Sequence, residues 1–231
     1  MAQPPTVITL LTDFGTRDHF VASMKGALAS RAPHARVIDL GHEIEPGNVE
    51  EASFFLSAAV PTFPAGTLHL AVVDPGVGSA RRLLALRWRE QLLGAPDNGL
   101  LEPFLDQAGA LREIDRPDLY RSAGSTTFHG RDRFAPVVAW LAEGGAFEAL
   151  GPPLADPVRQ AVPRPQRFPD RLEGRVAHVD RFGNLITDLP LDWLEGRGFA
   201  VELAPFAIDR HVTCYAALHP AEGGSLPGSP P

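Results

Sequence analysis

The stretch TVITLLTDFG, residues 6–15, opens with seven residues that are all β-branched or leucine. A run without polar alternation predicts a strand buried on both faces, as in a parallel sheet covered by helices. Asp13-Phe14-Gly15 breaks the run. Asp18 is then placed to cap a helix over 19–31, on which Phe20, Met24, Ala27 and Leu28 share a face. ARVIDLG (35–41) reads as a second strand, NVEEASFFLSAAV (48–60) as a helix capped by Asn48, and TLHLAVVD (67–74) as a third strand. This alternation predicts an α/β architecture with a mostly parallel central sheet. Further on, LLALRW (83–88) and EQLLGA (90–95) read as short strands. PDNGLL (96–101) reads as a loop leading into a short helix, LREID (111–115) as a strand, and GRDRFAPVVAWLAEG (130–144) as a helix interrupted near its start by Pro136.

The texture changes near residue 151. Residues 1–150 form the expected α/β domain, and the proline-rich 151–170 lacks periodicity and reads as an extended linker. Short strands with Gly, Pro and Asp turns over 171–220 predict a small all-β domain, and AEGGSLPGSPP, residues 221–231, a disordered tail. Of 231 residues, 44% are apolar and 21% charged, with a net charge of −7. That balance, with no basic patch, argues against a nucleic-acid partner. Cys214 is the sole cysteine, so neither an intrachain disulfide nor a cysteine-built zinc site is expected. The N-terminus has no signal-peptide character, and no apolar run approaches the ~20 residues of a membrane span. A cytoplasmic location is expected.

In open α/β sheets ligands bind beyond the carboxyl ends of the strands. The first and third predicted strands deliver Asp13 and Asp74 there. Asp13 is either a turn former or an acceptor for vicinal hydroxyls. In VVDPGVGSARR (72–82), Asp74 leaves a buried strand, Gly76 and Gly78 allow close backbone approach, and Arg81 or Arg82 would offset the acid's charge. In STTFHGRDRFAP (125–136), His129 precedes a helix whose positive end favours a neutral ring, able to accept a proton near pH 7. Asp132 is placed to stabilise that helix start. Asp13, Asp39, His42, Asp74 and His129 match no defensible metal-ligand spacing. The dinucleotide, phosphate-loop and nucleophile-elbow motifs are all missing.

LLTDFG (10–15), VVDPGVGS (72–79), PDNGLL (96–101), FHGRDRFAP (128–136) and DRFGNLIT (180–187) occur in this order. Together they resemble the S-adenosylmethionine hydroxide adenosyltransferase family, the adenosine-forming S-adenosylmethionine hydrolases, which are related to fluorinases and chlorinases. The resemblance covers roughly residues 6–190. It implies an N-terminal α/β domain, a C-terminal β-barrel, and a homotrimer whose sites lie between subunits. The implied reaction is attack of water or hydroxide on the ribose 5′ carbon, releasing L-methionine and adenosine, with no metal and no cofactor besides the substrate. The family's Asp, Arg, His triad falls on Asp74, Arg81 and His129; the residues themselves leave Arg81 and Arg82 open. Asp13 matches the acid that holds the ribose hydroxyls. Asp180 and Asn184 match positions near the methionine amino group and the adenine, with Phe182 as a ring contact. Halide-using relatives carry a different stretch where this chain has Asp74, and an acid there would repel an anion. The resemblance also implies a last apolar strand, which HPAEGGSLPGSPP (219–231) does not supply. That leaves a protein binding S-adenosylmethionine without turnover as the alternative.

Overall fold

The computed structural model describes residues 6–160, 164–195 and 200–203, and the backbone of 206–208. The expected tail over 221–231 lies outside the described residues, as does Cys214. Contacts divide the chain into two units: one runs to Arg164 and takes in Val176–Thr187, the other comprises Pro165–Arg175 and residues from Asp188 onward.

The first unit is built on a six-stranded sheet in the order β2-β1-β3-β5-β4-β6, formed by β1 (Val7–Thr12), β2 (Arg36–Gly41), β3 (Leu68–Val72), β4 (Leu83–Trp88), β5 (Gln91–Pro96) and β6 (Ala108–Glu113). β2, β1, β3 and β5 are parallel; β4 runs antiparallel to both β5 and β6. The last strand starts three residues and ends two residues earlier than LREID suggested, because Ala108 and Ala110 pair with Trp88 and Arg87 across a bulge.

The apolar run that opens the chain is buried on both faces, as its composition requires. Ile8 and Leu10 pack into a core with Met24 and Leu28 of α1 (Phe20–Arg31) and Val137 and Val138 of α4 (Ala135–Ala142). Leu11 points the other way, into a core with Ala52 and Leu56 of α2 (Val49–Ala59) and Phe104 of α3 (Glu102–Leu105). The alternation along one strand therefore sets three layers, with α1 and α4 on one face and α2 and α3 on the other.

Local chemistry fixes the helix ends. Asn48 caps α2 by accepting the Glu51 amide at 3.0 Å, and Pro61 follows its end. Asp18 does not cap α1: the N-cap is His19, and no side-chain cap bond forms. Phe20 is not on the buried face either; it is 38% exposed, and Val21 takes that place. The element expected over 130–144 divides in two. Gly130–Phe134 is a π-helical turn that closes with Ala135 N–H donating to Gly130 O, and regular α4 follows. Pro136 has no amide to give the carbonyl four residues back. That carbonyl, of Asp132, instead accepts the Arg121 N–H at 3.0 Å.

Residues 151–160 lie along the first unit: Leu154 N–H donates to Leu111 O, and Val158 N–H to Asp97 Oδ1. β9 (Val176–Val179) and β10 (Leu185–Thr187) form an antiparallel hairpin in the same unit, held to α2 by His178 stacked on Phe54 at 5.5 Å. In the second unit, β7 (Gln166–Arg167) pairs with β8 (Leu172–Glu173), and β11 (Val201–Leu203) with β12 (Phe206–Ile208), both antiparallel. The C-terminal part is thus made of small antiparallel strand pairs. A short 3-10 turn at Leu191–Trp193 is the one helical feature there among the described residues.

Candidate active site

The chain moves from β1 outward to β2, then crosses back to β3 on the other side of β1. This reversal makes the carboxyl edge between β1 and β3 the natural binding crevice of the sheet. Thr12 pairs with Val72 across that ladder, so Asp13 and Asp74 leave adjacent strands within two residues of each other in register. Asp13 Oδ2 accepts the Gly47 N–H at 2.8 Å. Gly47 has φ +75°, and a Cβ there would lie 3.7 Å from Pro75 Cβ, so the two acid-bearing loops approach one another through it.

Asp74 is held by Arg81. Arg81 Nε donates to Asp74 Oδ1 at 2.8 Å, and Nη2 donates to Oδ2, a two-point grip. The same Nη2 lies 2.9 Å from His129 Nδ1. The three side chains are 4%, 9% and, for His129 as a residue, 2% exposed. A guanidinium has no lone pair to accept with, so His129 Nδ1 is the acceptor and the ring proton sits on Nε2. Burial holds the His129 pKa below its ordinary value, and the nearby Arg133 and Arg81 cations press it the same way. The ring is therefore neutral, with Nδ1 engaged as an acceptor and Nε2–H left as its donor. His129 Nε2 and Arg81 Nη1 are both buried and make no hydrogen bond among the described residues.

His129 reaches Arg81 from a turn that Gly130 lets lie close to β3. A Cβ at Gly130 would stand 3.0 Å from Met24 Sδ and 3.6 Å from Val72 Cγ1, so with glycine the π turn lies against the end of β3 without displacing Met24. Asp132 anchors the preceding loop: its buried carboxylate accepts from the Ser125 amide and from Arg131, and pairs with Arg121. Phe14, Phe20 and Phe128 meet edge to face, 5.3–6.1 Å apart, beside the Asp13 and His129 loops.

Arg81 and Arg82 diverge. Arg82 Nε donates to Asp97 Oδ2 at 2.7 Å, and Nη1 to Asp156 Oδ1 at 2.9 Å. The structure thus joins Asp74, Arg81 and His129 directly, with Asp13 on the neighbouring strand end. Asp180, Phe182 and Asn184 form a separate group at the tip of the β9–β10 hairpin. Asp180 accepts from the Phe182 and Asn184 amides and from Asn184 Nδ2, and the Asn184 side chain keeps its carboxyl below the usual range. Phe182 is 88% exposed. Two residues that the sequence left as plain loop also touch this region: Asn98 Nδ2 donates to Val73 O at 2.9 Å, and Asp97 holds Arg82. The motif PDNGLL was visible, but its neighbours in space were not.

The fold and site define an α/β protein whose switch-point crevice carries a buried carboxylate–guanidinium–imidazole chain. Residues 8–151 match the SAM hydroxide adenosyltransferase N-terminal domain and residues 174–230 the C-terminal domain of the same family, SAM being S-adenosylmethionine. The chain belongs to this family. A protein of Salinispora arenicola named (R)-S-adenosyl-L-methionine hydrolase is 45% identical, over 80% of this chain and 72% of its own length. A protein of that name from Thermus thermophilus is 44% identical, over 79% and 74%. A crystal structure of an uncharacterized conserved protein from Thermotoga maritima superposes with a TM-score of 0.78 at 38% identity, covering 81% of this chain and 73% of that one. Fluorinases stand further off, at 28–30% identity.

Proposed function

We propose that this protein hydrolyses S-adenosyl-L-methionine to adenosine and L-methionine. The observation that carries the reading is the buried chain Asp74–Arg81–His129, in a member of this family. Water attacks the ribose 5′ carbon opposite the sulfonium. The C5′–O bond forms as the C5′–S bond breaks, sulfur keeps the electron pair as a neutral thioether, and one water proton is released. A sulfonium departs without protonation, so the catalytic demand falls on the water. Asp74 accepts the water's proton through a lone pair that Arg81 leaves free, and His129 Nε2–H donates to the water's oxygen. Placing the water in line contributes to the rate, and proton acceptance in the transition state adds about 10²- to 10⁴-fold. No cofactor or metal is required by this scheme. Asp74 disfavours a halide in the water's place.

Asp13 binds the ribose hydroxyls with the carboxylate oxygen left beside the Gly47 contact. Asp180 and Asn184 serve the methionine amino group and the adenine, and Phe182 supplies a ring face. These three come from a neighbouring copy in a homotrimer: an exposed Phe182, with Val179 and Leu185 about half exposed, supports a hairpin that docks on another subunit. The C-terminal strand pairs belong to a barrel, and the enzyme works in the cytoplasm. Among the described residues no helix is long and apolar enough to cross a membrane.

The test is to incubate the purified protein with S-adenosylmethionine, without halide, and follow nucleosides and methionine by liquid chromatography. Adenosine and methionine should appear in equal amounts, and Asp74→Ala and His129→Ala should slow this by about 10²-fold or more. Full rate in both variants would sink the assignment.

A further inference from the structure

We infer that Asp97 and Asn98 are positioning residues that set the distance between Asp74 and Arg81; this rests on the hydrolase reading above. The strand order is the starting point. β5 lies between β3 and β4 in the sheet. The segment from Val73 to Arg82, which carries both Asp74 and Arg81, must therefore arch over the carboxyl end of β5 to pass from β3 to β4. The residues that emerge from β5 beneath the arch are Asp97 and Asn98.

Each takes one foot of the arch. At the first foot, Asn98 Nδ2 donates to the carbonyl of Val73, the residue before Asp74, at 2.9 Å. At the second, Asp97 N–H donates to Arg82 O at 3.0 Å, and its carboxylate accepts Arg82 Nε at 2.7 Å, one residue beyond Arg81. The brace is itself held. Asn98 Oδ1 accepts the Leu100 amide at 3.2 Å, and Asp97 Oδ1 accepts the Val158 amide at 2.8 Å. The Asp97 side chain is 2% exposed. Gly99, with φ +91°, lets residue Gln160 lie over the turn, since a Cβ there would meet Gln160 Cγ at 2.6 Å.

Besides the Arg81–Asp74 grip, the backbone bonds within the arch are short-range turns, such as Val77 N–H to Asp74 O and Ser79 N–H to Gly76 O, both at 3.1 Å. These shape the loop but do not tie its feet to the sheet. The feet are tied to β5 by the Asn98 side chain, the Asp97 carboxylate and the Asp97 amide, where β3 and β4 leave their ladders with that strand. Neither side chain hydrogen-bonds to Asp74, Arg81 or His129 among the described residues, so their effect passes through Val73 and Arg82.

The experiment measures kcat, KM and S-adenosylmethionine affinity in Asn98→Asp, Asn98→Ala and Asp97→Asn. Asn98→Asp keeps size and the acceptor for Leu100 but sets an oxygen against the Val73 carbonyl; Asn98→Ala is the milder second variant. Misplacing reacting groups by about an ångström costs on the order of 10²-fold in rate. The expected result is a kcat lower by about 10- to 100-fold, with KM and affinity within about 3-fold. Gln91→Ala is the control: it removes a buried side-chain bond to Phe63 O far from the arch, and should keep the wild-type kcat while the protein is folded. Wild-type kcat in the Asn98 variants, beside an inactive Asp74→Ala, would overturn the brace alone. An inactive wild-type protein would overturn the hydrolase reading and the brace with it.

Discussion

A guanidinium that grips a carboxylate and an imidazole together dictates the imidazole's tautomer. Protonating His129 would place a hydrogen on Nδ1, facing Arg81 Nη2 at 2.9 Å, and would set two cations side by side. Burial opposes the same step. The acid limb of the kcat/KM profile is therefore expected below the ordinary histidine value of about 6.5; a limb above it, measured by initial rates across pH, would contradict the assigned tautomer. The two arginines should also separate cleanly. Lysine at position 81 cannot hold both Asp74 oxygens and His129, so Arg81→Lys is expected to lose on the order of 10²-fold in kcat. Both outcomes depend on atoms that a sequence does not display. The residue pair was legible as an acid near an arginine, but Arg81 and Arg82 were equivalent until their partners, Asp74 and Asp97, were located.

At the level of elements, the first unit was readable because its inner strands are continuous apolar runs buried on both faces, alternating with helices that carry one apolar face. The misses have local causes. Asp18 lies one residue before the observed cap, His19. Phe20 found aromatic partners at the edge of the sheet instead of the core. The π turn accompanies Pro136 and a donor outside the helix, the Arg121 amide, which no periodicity along the chain reveals. The antiparallel β4 and the brace beneath the arch require the strand order, which depends on the whole sheet. Two substitutions test the elements. Asn48→Ala should cost about 1 kcal/mol by removing the α2 cap. Gly130→Ala should cost about 1–3 kcal/mol, since Met24 must yield or the π turn must retreat, and in the second case His129 retreats with it. Urea unfolding reports both costs; turnover at matched folded fraction reports whether His129 has moved.

For the molecule as a whole, acid sensitivity is set in part by His69. Its ring is 1% exposed and bonded to Thr9 Oγ1 at 2.7 Å. Burial lowers its pKa to about 4, against the pull of the Gln91 side chain. The unfolded chain binds this proton near 6.5 and the folded chain near 4, so the unfolded state holds more protons in between. Stability is full above about 6.5 and falls as pH drops through that window, by about 3 kcal/mol for this group. His69→Gln should flatten the loss of urea stability between pH 7 and 5 by about 2 kcal/mol, the part of the window those values span; an unchanged slope would show that folding does not lower the ring's pKa. Assembly is the other property of this scale. For the homotrimer proposed above, Phe182→Asp is expected to lower the mass seen by sedimentation velocity from trimer to monomer, and an unaltered trimer would place the interface elsewhere.

The arch between β3 and β4 has one more consequence, for how the gene can vary. Consecutive arginines at its far foot reach different partners, Arg81 to Asp74 and Arg82 to Asp97. Removing or adding a single codon between 74 and 81 would hand the pocket the wrong guanidinium, or none, while leaving composition almost unchanged. Selection should therefore tolerate exchanges such as Val77 for another aliphatic residue far more readily than any change in the number of residues. Length, and not only identity, is an inherited trait of this loop.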